Sequence, residues 1–103
     1  MENLKVSSTS EPRATAGAIA NGIRQHGESQ ILVIGPRAVN QAIKAIAIAR
    51  SYLAASGVDL YFTPSFASVQ IESQERTALH FVVRTRHPLT TALPLAATGE
   101  EPV

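Results

Sequence analysis

The 103-residue sequence contains no cysteine and no tryptophan. A disulfide framework, a thiolate metal site and a cysteine nucleophile are therefore excluded, and nothing points to an oxidising compartment. Aromatic residues are scarce: only Tyr52, Tyr61, Phe62, Phe66 and Phe81 occur, most of them expected in the core, so no RNA-stacking motif is present. No apolar run approaches the roughly 18 residues of a membrane span. The opening Met1-Glu2-Asn3-Leu4-Lys5 lacks the basic and apolar zones of a signal peptide. A cytoplasmic protein without a membrane partner is expected. What is present, 45% apolar and 17% charged residues at a net charge of +1, is the composition of one small globular domain. The charge is uneven. Residues 1–86 hold all nine Lys and Arg against six acids, whereas residues 87–103 hold none and two acids, Glu100 and Glu101. A mildly basic body permits a polyanionic partner without requiring one.

Leu4-Lys5-Val6 alternates as a short first strand. Helix-start chemistry follows: Ser8 and Glu11 have capping-box spacing, Ser10 is the competing cap, and Pro12 suits a first turn. Ala16, Ile19, Ala20 and Ile23 form one apolar stripe, and Gly27 supplies the stop. Gln30 to Ile34 is an apolar run without polar alternation, expected for a central strand covered on both sides. Gly35-Pro36 opens a second helix to about Ala54, with Val39, Ala42, Ile43, Ile46 and Leu53 as its core stripe. Asp59 to Thr63 is strand-like, Pro64 marks an edge or a bulge, and Phe66 to Ile71 resumes the strand. Glu72 to Glu75 is the turn of a hairpin whose second strand alternates Thr77, Leu79, Phe81 and Val83 with Ala78, His80, Val82 and Arg84. The order β-α-β-α-β-β predicts an α/β two-layer sandwich, with two helices on one face of a mixed four-stranded sheet. Residues 87–103, with three prolines and no sustained period, are expected to form a flexible tail beyond a domain of residues 1–86.

Catalytic chemistry is thin. His26 suits a helix C-terminus, His80 a strand surface and His87 the tail boundary, and none has metal-ligand spacing. No carboxylate pair stands out, and Ser7 to Ser10 are capping residues. Neither an enzyme nor a metal, cofactor or small-molecule substrate is expected. Gly35 before a helix reads as a strand-to-helix turn, not a phosphate loop, although a polymer phosphate suits the helix N-terminus there. The second helix says more. At about 100° per residue, Arg37, Gln41, Lys44 and Ile48 lie together opposite the expected core stripe, with Tyr52 alongside. Arg37, Gln41 and Lys44 are read as contacts to a polyanion backbone, and Ile48 and Tyr52 as a subunit interface. Arg50 falls near the core and is expected to snorkel or to pair with Asp59. Arg76, Arg84 and Arg86 give the hairpin charge, either as a solvated arm or as one that reaches into a groove.

Several runs resemble the bacterial stage V sporulation protein S family: Leu4-Lys5-Val6-Ser7, Ala16-Gly17-Ala18, Ile34-Gly35, Asn40 to Arg50, Ser56 to Leu60 and Glu75 to Ala78. That family looks related to the Alba nucleic-acid-binding proteins. The resemblance implies an Alba-like fold of the same element order, a dimer or higher homo-oligomer, and DNA or RNA binding without base readout. Pro36 to Ile43 is similar to the stretch opening the second Alba helix, where a basic residue and a lysine approach nucleic acid. Arg37 keeps the first charge, Gln41 stands where Alba has lysine, and Lys44 restores a charge one turn later. Ser7 to Ser10 replace a lysine-rich turn, leaving Arg13 as the nearest substitute. The resemblance thus implies a contact centred on Arg37, Asn40, Gln41 and Lys44, with Arg13, Arg76, Arg84 and Arg86 at the periphery. Arg37 stands where the sporulation family usually has a small residue, and the turn lacks that family's usual glycine. The rival expectation, favoured by a net charge of only +1, is a protein-interaction module whose assembly is itself the regulatory device.

Overall fold

Leu4–Val6 form β1, which runs parallel to β2 (Glu28–Val33), with Leu4 opposite Ile31 and Val6 opposite Val33. Between them lies α1 (Pro12–His26). A second helix, α2 (Pro36–Ala54), leads to a long hairpin of β3 (Asp59–Ile71) and β4 (Gln74–Arg86). This computed structural model describes residues 3–86, so the expected tail at 87–103 and His87 lie outside the described residues. β4 inserts antiparallel between β2 and β3, giving the order β1-β2-β4-β3. The architecture is the expected α/β two-layer one. No helix among the described residues is long and apolar enough to cross a membrane.

Both helices pack on the face carrying Val6, Ser29, Ile31, Val33, Phe81 and Val83, all buried. Phe62 extends that face across the hairpin and packs on Phe81 with ring centroids 4.9 Å apart. β2 is therefore covered on one side only: Ser29, Ile31 and Val33 are buried, while Glu28, Gln30 and Leu32 are half-buried. The expectation of cover on both sides came from an unbroken apolar run, but Leu32 points to the face that no helix reaches.

The first helix is capped by neither Ser8 nor Ser10. Glu11 is the N-cap, and its carboxylate accepts from the amides of Arg13 (3.1 Å) and Ala14 (2.9 Å). Ser10 turns back instead, its hydroxyl accepting from the Ser7 amide. The stripe Ala16, Ile19, Ala20 and Ile23 is buried as expected, and Gly27 ends the helix at φ 75°, its amide donating to the Ile23 carbonyl at 2.8 Å. Gly22 is required for another reason. A Cβ there would sit 2.2 Å from the Ser29 hydroxyl, which donates to the Ile19 carbonyl and ties α1 to β2.

The second helix has the expected limits but not the expected rotation. Its buried residues are Ala38, Ala42, Ala45, Ile46, Ala49 and Leu53, whereas Val39 is half-buried and Ile43 is 44% exposed. Small side chains let helix axes approach closely, so the alanines face inward and the larger Ile43 turns out. Arg50 does pair with Asp59, which is fully buried, and Arg86 closes the group at 2.9 Å from the other carboxylate oxygen.

Pro64 forms no bulge. The β3–β4 register runs unbroken from Asp59 opposite Arg86 to Ile71 opposite Gln74, with Pro64 opposite Phe81 on the edge strand. The turn is tighter than the expected four residues: Glu72 (φ 49°) and Ser73 (φ 65°) alone make it, both left-handed as a two-residue hairpin of this twist demands.

Candidate nucleic-acid interface

The two helices contain no carboxylate; Glu11 stands outside α1 as its cap. They carry Arg13, Arg24, Arg37, Lys44 and Arg50, and only Arg50 forms an ion pair among the described residues. The helical layer is therefore a cationic surface with no internal counter-charge. On α2, Arg37, Asn40 and Lys44 are exposed and lie on its outward half, so this face presents two cations and an amide together. Gln41 does not share that freedom. Half-buried, it donates from Nε2 to the Ser10 carbonyl at 2.9 Å and fastens the loop before α1 against the second turn of α2. That tether places Arg13, exposed near the start of α1, at the same end of the molecule as Arg37.

No side chain caps α2, leaving its first amides free for an anion. Beside them opens a cleft of about 570 Å³, between the ends of β1 and β2 and the far part of β3. Lys5 and Arg37 flank it, and Val69 and Ile71 close it from the hairpin. Lys5 was not among the expected contact residues. Its position emerges only from the sheet: positions 5, 32 and 69 share the face away from the helices, which strand pairing brings together across the chain. Arg76 pairs opposite Val69 and is exposed on that same side.

Arg84 and Arg86 lie elsewhere. Eight and ten residues beyond Arg76 on β4, they are about 26–33 Å away along an extended strand. Both have structural partners. Arg84 Nε donates to Glu28 at 2.9 Å, and Arg86 binds Asp59. The Glu28 carboxylate, bonded by Gln30 and by Arg84, is held below its ordinary pKa, and Asp59 is lowered to about 2, chiefly by its bond to Arg50 and then by that to Arg86. The hairpin tip carries Glu72 and Glu75 against the single cation Arg76, so its end is acidic. His80 is also structural: its Nε2–H donates to Gln30 Oε1 at 3.0 Å.

The two residues read as a subunit interface separate. Tyr52 is 46% exposed, but Ile48 is half-buried against the core. The rotation of α2 moves Ile43 outward and Ile48 inward, so Ile48 presents little surface to a partner. The most exposed large apolar group among the described residues is on β3, where Phe66 is 82% exposed, with Tyr61 and Ile71 at 39% and 38%.

Residues 2–86 match the family described as stage V sporulation protein S (SpoVS), which spans every described strand and helix.

Proposed function

From its membership of the stage V sporulation protein S family, which makes this a sporulation-related chain, we propose a non-enzymatic, cytoplasmic regulator that binds DNA or RNA through phosphate contacts and works as a dimer. Arg37, Asn40 and Lys44 on α2 make the central contact, with Lys5, Arg13 and Arg76 around them. Arg84 and Arg86 are left to their carboxylates, and Gln41 positions the loop before α1. The observation that carries this reading is a helical layer free of acids whose exposed cations Arg37 and Lys44 have no ion-pair partner among the described residues. Phosphate contacts made by such groups carry little sequence information and weaken with salt.

The test is fluorescence anisotropy against duplex DNA, single-stranded DNA and RNA at two ionic strengths. Arg37→Glu with Lys44→Glu should abolish low-salt binding, and neutralising one contact at a time should lower the log–log salt slope by about one each. Unchanged affinity in the double variant rejects this face. A second reading, a protein-assembly module that binds no polyanion, is favoured by the charge-free, largely exposed stretch of β3 from Leu60 to Ile71. A purified protein that retains no 260 nm-absorbing material and forms a defined oligomer would support it.

A further inference from the structure

The dimer in the reading above needs a surface, and α2 offers little at Ile48. β3 offers more. From Leu60 to Ile71 it contains no charged residue, although nearly every position beyond Leu60 is exposed or half-exposed. Long edge strands usually carry lysine, a bulge or a cover to discourage pairing. Apart from Pro64, this strand has none of these along its length.

Pro64 also reveals which backbone groups are free. It has no N–H, yet the ladder to β4 runs unbroken past it, so position 64 is one whose N–H would point away from β4. By alternation the amides of residues 60, 62, 66, 68 and 70 point to the open edge. Leu60 agrees: its amide is taken by the Asp59 carboxylate at 2.9 Å, off the ladder. Phe62, Phe66, Ser68 and Gln70 keep outward donors. Another extended strand can replace the water that otherwise meets such a row, and a neutral segment meets a copy of itself without like-charge repulsion.

We propose that β3 pairs antiparallel with β3 of a second copy of this chain, about a twofold axis at Phe66. In that register Phe66 faces its own counterpart, Phe62 faces Gln70, and the Ser68 amide donates to the Pro64 carbonyl. The missing proline donor thus sits where one bond is lost and the acceptor still serves. The exposed Phe66 rings cover each other on the helical side of one continuous eight-stranded sheet, leaving the cationic faces of α2 free.

The absence of cysteine makes the test direct. Directly opposed residues of a hydrogen-bonded antiparallel pair have Cα atoms about 5.5 Å apart, within disulfide reach. Phe66→Cys in the full chain should therefore oxidise to a covalent dimer, while Ala47→Cys on the outward face of α2 should not. Phe66→Asp with Ser68→Lys should halve the solution mass measured by light scattering, with far-UV circular dichroism unchanged because both positions are exposed. Three results each overturn the proposal: a wild-type chain that is monomeric at micromolar concentration, a charged variant that keeps the dimer mass, or a disulfide dimer formed by the Ala47→Cys variant and not by Phe66→Cys. All readouts are taken without nucleic acid, so failure of polyanion binding leaves them interpretable.

Discussion

Asp59 is the residue on which most of the polar structure converges. It is fully buried, yet it accepts from Arg50, from Arg86 and from the amide of Leu60, and so joins α2, β4 and the start of β3. Those bonds favour its ionised form, with Arg50 the largest contributor, and lower its pKa from 3.8 to about 2. The unfolded chain therefore binds the proton more readily than the folded one. Stability from this group is complete above about pH 4 and is lost as pH falls through 2, amounting to about 2 kcal/mol. Urea unfolding at pH 7, 4, 3 and 2 should show that decline, and Asp59→Asn should flatten its share of it. At neutral pH the same substitution should cost about 2–3 kcal/mol, at or below the lower end for breaking a buried pair, because both arginines are partly solvated. Of this cluster the sequence showed the Arg50–Asp59 link, because Arg50 falls near the core stripe of a helix and needs a partner. The third member, Arg86, reads from the sequence as a ligand contact rather than as a partner of Asp59. Its place opposite Asp59 depends on the hairpin register, and that depends on a turn two residues tighter than composition suggests.

At the scale of elements, α2 teaches the most. Its limits were readable from Gly35-Pro36 and Ser56-Gly57, but its rotation was not. Ranking side chains by size puts Val39 and Ile43 inside and the alanines wherever they fall. Helix-on-helix packing reverses that choice, because the contact with α1 is lined by residues small enough to let the axes close. The difference reaches the site: size ranking turns Ile48 outward, whereas Arg37 and Lys44 stay exposed under either rotation. Ala45→Leu should consequently destabilise the fold by about 1–3 kcal/mol through overpacking. Ile43→Gln should change stability by no more than about 0.5 kcal/mol. Thermal melts of the two variants distinguish the rotations, since an inward Ile43 reverses the ranking. The order of elements along the chain is readable from the sequence, but the strand order β1-β2-β4-β3, and with it the place of Lys5, is not. Alternation reveals the faces of each strand, but the neighbours across a sheet are chosen by topology.

The whole molecule segregates its charge. Among the described residues, the unpaired cations occupy the helical layer and the end near the cleft, carboxylates stand at a cap, in ion pairs and at the hairpin tip, and β3 beyond Asp59 is neutral. Pairing through β3, as inferred above, would set two helical layers on the same side of one sheet, within reach of a single polyanion. Binding to a duplex long enough to span them should then fall by about 100-fold when Phe66→Asp with Ser68→Lys separates the copies, through loss of effective concentration. A short duplex reaching one copy should lose little; titrations with both lengths make the comparison. The opposite rim of the sheet sets a limit on such growth. β1 is three residues long, too brief to template another chain, so among the described residues an assembly joined through β3 would find no second adhesive border and would end at two members, with no route to a fibre.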